Sequence, residues 1–528
     1  MNGAFGVSGS AGSGRAGAER QTRIWWLIFL LTVALAAALR LPDLGLRPMH
    51  NDEAVNALKF GALWTHGEYR YDPQEYHGPT LPYLTAALGW LTAAPDFQHY
   101  SVARLRLVTA LAGVALVVLL PLLRDGLGRG VVLGAAGFTA LSPALVFYSR
   151  YWIHEELLVL FTLLTLAAAW RWWRERSRRW AALTGLGLGL MQATKETFVF
   201  AVVAALGALF LNWLWLRFTE PKRGRCPLPL AHVSLAVAVW LLVWLVFFTS
   251  FFSNASGLVD SLRTYALWFQ QAKGESPHAH PWSFYFTRLF WFHPAGGPFW
   301  SEGLLLVLGL VGAWDGLRSM PRSGARPELI RFFAGFTVLL AGIYTVIPYK
   351  TPWCALGFLH GLVILAGVGA AALWQLSRRV GPRVAVALLL GAGVTHLGWE
   401  AWRASFPMCA ERTNPWVYAQ TSPDLLELVA QVNAVAVLAQ GQDTVIGVVA
   451  REGDYWPLPW YWRGYQHVGW WAQVPTDLAA PVVVASAGLK LPADVTESHV
   501  MAGYFQLRPG VFLELHVERR LWEKYVTR

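Results

Sequence analysis

The hydrophobic residues fall in blocks about as long as a bilayer-spanning helix, separated by short polar connectors. Strong blocks lie at 24–39, 103–123, 130–148, 157–172, 180–194, 197–216, 231–252, 301–316, 332–348, 354–376 and 384–400, which predicts eleven spans. An outer-membrane barrel would instead give short alternating segments. Residues 1–22, rich in Gly, Ser, Ala and Arg, read as a flexible cytoplasmic tail. The first block lacks an Ala-x-Ala cleavage signal, so it reads as a retained span. TLPYLTAALGWLTA at 80–93 is weaker and short for a crossing. It predicts a juxtamembrane helix at the interface; counting it as a span would reverse the side of every later loop.

Charge arbitrates. With eleven spans and the N-terminus inside, the inner connectors are 124–129, 171–180, 217–225, 317–331 and 377–383, each of them basic. The outer segments are then 41–102, 149–156, the turn around Lys195, 253–300, 349–353 and everything after 401. These hold most of the acidic and histidine residues, so chemistry is expected on the extracytoplasmic side of a multi-pass protein of the cytoplasmic (inner) membrane.

After residue 400 the pattern changes. PDLLELVAQVNAVAVLAQ at 423–440 predicts an amphipathic helix, 443–450 and 481–487 predict strands, and 503–519 predicts two strands around an Arg-Pro-Gly turn. The expected architecture is a polytopic all-α membrane bundle, 23–400, carrying a small extracytoplasmic α/β domain, 401–528. No internal repeat suggests inverted transporter halves.

Composition narrows the class. The 528 residues are 55% hydrophobic and 14% charged, which excludes an ordinary soluble enzyme and a disordered chain. The net charge of +11 sits in the connectors, where it reads as topology and not as nucleic-acid binding. Cys226, Cys354 and Cys409 have no metal or redox spacing. Twenty-nine tryptophans suit a protein with much interfacial surface. No Walker A or dinucleotide fingerprint is present, so no nucleotide cofactor is expected.

The first outer loop opens LRPMHNDEAVNAL, where Asp52 and Glu53 offer a general base or ligands for a divalent cation. A solvated turn or helix cap is the competing reading. His50 and His77, the latter in YHGPTLPYL at 76–84, furnish the same loop. FYSRYWIHEELLVLF brings Arg150, Glu155 and Glu156 to the outer surface, where two carboxylates at the start of a span need cations, metal or water. Lys195 and Glu196 occupy a tight outer turn, either an ion pair or the rim of a cavity. Lys350, in YKTPWC, stands against the inside bias of basic residues; a phosphate or ordinary snorkelling would each explain it. The loop 253–300 adds Arg263, Tyr265, His278, His280, Arg288 and His293, and its HAHPW run is a weak metal pattern. Carboxylates and cations gathered at one face fit an anionic, lipid-linked substrate better than an ion pore.

The strings NDEA at 51–54, YHGPTLPYL at 76–84, SRYWIHEE at 149–156, ATKET at 193–197, YKTPWC at 349–354 and NPWVYAQTSPD at 414–424 resemble the GT-C superfamily of membrane glycosyltransferases. The likeness is to the branch of protein O-mannosyltransferases and lipid A aminoarabinose transferases. Within it, the chain is most similar to the flippase-activity-associated, dolichyl-phosphate-mannose-protein-mannosyltransferase-like group, and the resemblance runs from residue 24 to about 520. It implies transfer of a sugar, usually with inversion, from a polyprenyl-phosphate carrier to a glycan, lipid or protein acceptor outside the membrane, with no nucleic acid involved. Asp52 would be the base that deprotonates the acceptor, or would help hold Mg or Mn with Glu155. Glu155 or Glu156 would be the second acidic site, and Lys195 and Lys350 would neutralise the leaving phosphate.

The C-terminal domain departs from the simplest members of the superfamily. Its REGDYWPLPWYWRGY run at 451–465 offers Glu452, Asp454 and Arg463 among aromatics, for sugar binding or for packing. A lipid-linked-glycan transporter and a noncatalytic assembly protein are the alternative classes.

Overall fold

The computed structural model describes residues 10–74, 77–220, 228–271 and 278–528. Residues 1–9 of the expected tail, Tyr76 and Cys226 lie outside the described residues. In chain order the helices are α1 (Ser10–Arg40), α2 (Asn51–His66), α3 (Thr80–Leu91), α4 (Val102–Leu119), α5 (Arg124–Leu127), α6 (Arg129–Leu141), α7 (Pro143–Ser149) and α8 (His154–Glu175). They continue with α9 (Arg178–Gln192), α10 (Phe198–Thr219), α11 (Leu230–Phe248), α12 (Gly257–Gln271), α13 (Phe284–Phe290), α14 (Gly303–Asp315), α15 (Pro327–Val346), α16 (Leu356–Leu376) and α17 (Val380–Ser405).

Every one of the eleven apolar blocks is helical. Among the described residues eight helices are long and apolar enough to cross a membrane, and α6 with α7, bent by 59° at the break, makes a ninth if the pair is one span. The other two blocks form α9, of 15 residues, and α14, of 13. At 1.5 Å per residue these reach only about 20 Å, so length and composition alone do not carry the count to eleven. The 80–93 block is α3, 12 residues packed against α2 and α4. Helix α1 already begins at Ser10, so residues 10–22 are not the flexible tail expected; their Ala, Arg, Glu and Gln favour helix and extend the first span.

Small residues let the helices close. A Cβ on Gly185 would sit 2.1 Å from the Ala236 carbonyl, and one on Gly369 would sit 1.9 Å from that of Leu308, so α9 against α11 and α14 against α16 pack backbone to backbone. The bend between α6 and α7 falls at Pro143, which cannot continue the ladder. Glu302 covers the break: its carboxylate accepts from the Ala144 N–H at 2.9 Å and the Ser142 hydroxyl at 2.6 Å.

Three of the basic connectors, 124–129, 171–180 and 317–331, meet at one end of the bundle. Arg171 and Arg174 lie within 4 Å of Asp125, the Arg326 N–H donates to the Gly126 carbonyl, and Arg331 reaches Asn212 and Gly316. The segments bearing the candidate chemistry gather at the other end.

The C-terminal region contains α18 (Asp424–Leu438), β1 (Ile446–Val449), α19 (Leu458–Tyr461), β2 (Val468–Trp471), β3 (Val482–Ser486), α20 (Ala493–Ser498), β4 (His499–Arg508), β5 (Val511–Glu518) and α21 (Arg519–Val526). The sheet order is β2-β1-β3-β5-β4, parallel among β2, β1 and β3 and antiparallel at β3-β5-β4. The apolar runs of β1 and β3 are buried along their whole length, as central strands require. Strand β2, VGWW, follows the aromatic run at 451–465 and is not among the predicted strands. The domain docks beside the start of α2. Thr421 donates to the Met49 carbonyl at 2.7 Å, and the Met49 N–H donates to the Tyr461 hydroxyl at 2.9 Å.

Candidate functional site

The site grows from the first turn of α2. His50 is its N-cap, accepting the Asp52 N–H on Nδ1 at 3.1 Å, while the Glu53 carboxylate accepts the His50 N–H at 3.0 Å. This reciprocal cap fixes the two neighbouring carboxylates on opposite sides. Glu53 is fully buried. Arg106 grips it with Nε at 2.7 Å and a terminal nitrogen at 2.6 Å, and the Trp152 N–H adds a further bond at 2.8 Å. Burial alone would raise its pKa, but the Arg106 pair overrides that and holds the carboxyl down to about 2. Arg106 in turn donates to the Leu44, Arg47 and Pro48 carbonyls. Glu53 is thus not free for the catalysis expected of it; it pins the loop that presents Asp52.

Asp52 differs. Its side chain is 43% exposed, and its ion-pair neighbour is His50 at 3.7 Å. Its charge acts on His278, Tyr349 and Tyr151, and its neighbour His50 packs against Tyr151 and Trp353. The Tyr418 hydroxyl stands between His278 Nδ1 at 2.7 Å and His280 Nε2 at 2.8 Å, and burial lowers the pKa of both histidines. Trp353 packs edge-on to His50 and Tyr418 and tilted over Tyr151.

A second charged centre lies where α8 meets the α9–α10 turn. The Lys195 ammonium is hydrogen-bonded to the Glu155 carboxylate, both side chains being buried. Burial works against the Lys195 charge, but Glu155 and Glu196 outweigh it and raise its pKa. Glu196 faces His77 Nδ1 at 3.4 Å. Backbone pairing fastens the two segments: the Gly78 N–H donates to Thr194 and the Thr80 N–H to Ala193, each at 3.0 Å. Gly78 is required here, since a Cβ would fall 2.1 Å from the Ala193 carbonyl oxygen. Glu155 lies on the wall of a largely apolar groove, lined also by Leu158, Thr197, Tyr344, Trp353 and Leu356.

Other expected site residues are committed elsewhere. Glu156 is wholly buried inside the bundle with Arg40 as its charged neighbour, turned away from the groove that Glu155 lines. Arg150 donates to the Arg40, Pro42 and Asp43 carbonyls and covers Phe406, so it holds the α1–α2 loop. The buried Lys350 ammonium bonds the Ile347 and His280 carbonyls, which fixes the histidine loop. Asp454 pairs with Arg508 inside the C-terminal domain. Arg463 donates to the carbonyls of Phe97, Gln98, Tyr100 and Trp460, so it is a docking residue and not a sugar contact. Among the described residues no three His, Cys, Asp or Glu side chains form a metal-binding group. With Glu155 given to Lys195, Asp52 and Glu155 do not by themselves make the cation seat expected of them.

Sequence reasoning missed Arg106, Tyr418 and Trp353. Arg106 carried a signal, being a charge inside an apolar block, where it needs a buried partner.

A family model described as dolichyl-phosphate-mannose-protein mannosyltransferase matches residues 77–259, about a third of the chain, including the Gly78–Thr194 seam and the Glu155–Lys195 pair. No curated protein matches the chain. Among solved structures, ArnT from Cupriavidus metallidurans in the apo state aligns with TM-score 0.59 and 14% identity over 93% of this chain and 98% of that one. The same protein bound to undecaprenyl phosphate aligns with TM-score 0.56, also at 14% identity and over the same shares. The Archaeoglobus fulgidus oligosaccharyltransferase tethered with an acceptor peptide aligns with TM-score 0.54 and 12% identity, over 84% of this chain and 63% of that one. At these identities the likeness shows the fold. That fold, shared with ArnT and the archaeal oligosaccharyltransferase, is a multi-pass helical bundle with a small C-terminal sheet domain.

Proposed function

We propose that the chain is an inverting glycosyltransferase that moves a sugar from a polyprenyl-phosphate donor to an acceptor outside the cytoplasmic membrane. The observation that carries this reading is the pairing of two centres at one end of the bundle. One is a half-exposed carboxylate, Asp52, left free by its neighbour Glu53. The other is a buried cation, Lys195, held by Glu155 on the wall of an apolar groove. An apolar groove with a fixed ammonium behind the carboxylate on its wall suits a lipid with a phosphate head. The structures of ArnT with undecaprenyl phosphate and of the archaeal oligosaccharyltransferase with an acceptor peptide are precedents for such ligands on this fold. The basic connectors at the opposite end support placing the site on the extracytoplasmic side.

In this reading the acceptor oxygen attacks the anomeric carbon as the bond from that carbon to the phosphate oxygen breaks. Asp52 takes the acceptor proton, and the polyprenyl phosphate leaves with the bonding electrons. The departing group already carries negative charge, so it needs a cation more than an acid; Lys195, kept charged by Glu155, supplies it. Tyr418, partly exposed, gives the sugar a flat face to lie against, with Trp353 packed edge-on behind it. A divalent cation acting at Asp52 would draw its other ligands from the donor phosphate.

The test is transfer of radiolabel from a panel of polyprenyl-phosphate sugars in membranes with and without the protein, counting lipid, glycan and protein fractions separately. Signal in one fraction above empty membranes supports the reading and gives the acceptor class. Movement of the intact lipid-linked sugar across the bilayer without bond transfer would replace it with a transporter.

A further inference from the structure

A second pocket lies on the far side of the Glu53–Arg106 pair from Asp52. It is a small pocket, open to one side, whose wall includes Arg47, Arg106, Arg150, Asp43, Ser405 and Cys409. Three guanidinium groups line the pocket; Glu53 answers Arg106 and Arg47, and among the described residues the only carboxylate on the wall, Asp43, is exposed. Positive charge is therefore in excess in a buried place, which costs free energy unless an anion meets it.

Two polar atoms on the wall also lack what burial demands. Arg47 Nε and Ser405 Oγ are both buried and have no hydrogen-bond partner among the described residues. Arg47 cannot swing away to find one. Its guanidinium lies 3.9 Å from the Tyr151 ring centre, and a terminal nitrogen donates to the Arg150 carbonyl. Both orphan groups can donate, and donors around excess positive charge select an anionic acceptor.

The place narrows the class further. The pocket is built where α1 ends at Arg40 and α17 ends at Ser405, two helices with long, largely exposed apolar flanks. Leu46 on its rim is itself half exposed. Two membrane-facing helices ending together put the cavity at the height of lipid headgroups. The guanidinium fork matches phosphate oxygens better than it matches a point acceptor.

We infer that this arginine-walled cavity is a phosphate-binding site separate from the Asp52 and Lys195 centre. Its occupant, a phospholipid headgroup or free phosphate, bridges Arg47 to Ser405 and so braces the loop that carries the α2 cap. The inference stands on these residues and does not depend on the glycosyltransferase reading.

The full chain is tested in two arms. Inorganic phosphate is titrated at constant ionic strength against chloride, reading Tm. The protein is also reconstituted in nanodiscs of phosphatidylglycerol or of phosphatidylcholine, and retained lipid is read by native mass spectrometry. The expected result is a dose-dependent rise of Tm with phosphate, retention of phosphatidylglycerol over phosphatidylcholine, or both. A phosphate response alone identifies the free ion, and lipid retention alone identifies the headgroup. Ser405→Asp, which places a carboxylate in the pocket, is expected to abolish the response without lowering the ligand-free Tm. Ser405→Ala is expected to weaken it several-fold and keeps the test decisive where the aspartate variant does not fold. The response is also expected to persist in the Glu155→Gln/Lys195→Met double variant. No response in either arm, an undiminished response in the Ser405 variants, or loss of the response only in the double variant would overturn the inference.

Discussion

Asp52 and Glu53 are consecutive residues of one helical turn, yet Glu53 is sealed beneath Arg106 while the Asp52 side chain is 43% exposed. One carboxylate is structural so that the other is free. The division follows from helix geometry, since neighbours in a helix point about 100° apart. It also needs Arg106 and the Trp152 N–H to claim the buried oxygens.

Glu53→Gln should therefore act on stability first. Losing one partner of a buried ion pair costs about 3–5 kcal/mol, and the variant should melt well below the parent in a thermal-shift assay. The pH dependence has a definite sign. The Glu53 pKa is depressed in the folded state to about 2, so its contribution is complete above the unfolded-state value near 4.5 and is lost as pH falls toward 2. The parent should lose stability through that window, and Glu53→Gln should lose less.

The Glu155–Lys195 pair separates stability from activity. Either single change, Glu155→Gln or Lys195→Met, should cost about 3–5 kcal/mol by leaving a buried charge alone. The double variant should regain most of that in thermal unfolding, yet stay inactive in sugar transfer because the cation is gone. Recovery of activity along with stability would make the pair purely structural.

Gly78→Ala tests the seam between the first loop and the Lys195 turn without touching any charged group. The new methyl would meet the Ala193 carbonyl, forcing the backbone pairs at Gly78 and Thr80 apart. Overpacking of this kind costs about 1–3 kcal/mol. Transfer should fall with it as Lys195 shifts, read as a lower kcat for a protein that still elutes as a folded species.

Arg463→Ala tests docking of the C-terminal domain. It removes charge-assisted bonds to the Phe97, Gln98 and Tyr100 carbonyls, a loss of roughly 2 kcal/mol or more. The linker around 406–423 should become more sensitive to limited proteolysis. An unchanged digestion pattern would show that Tyr461, Thr421 and the Phe97–Trp460 contact hold the domain without it.

Much of the fold was legible because a bilayer imposes helices on apolar blocks, and each such block is a helix. Span count was less legible: α9 and α14 are apolar enough but short, and Pro143 breaks a block that reads as continuous. In the C-terminal domain the all-apolar β1 and β3 could be read directly, whereas β2 is an edge strand half-buried along its length and gave no clean alternation. At the site, residue type marked the right loops but not the roles. Arg150, Lys350 and Arg463 all end on backbone carbonyls, partners that no side-chain pattern announces. Nothing in the string NDEA tells which acid would be buried; that was decided by Arg106, more than fifty residues away.

The most direct test of the account is the rate of sugar transfer by Asp52→Asn beside the parent, with Glu53→Gln measured at a temperature where it stays folded. The account predicts that Asp52→Asn keeps the parent's Tm while losing transfer by about 10²–10⁴-fold, the usual worth of a general base. Glu53→Gln should lose stability and retain more of its transfer rate. An Asp52→Asn protein that transfers sugar at the parental rate would contradict the account.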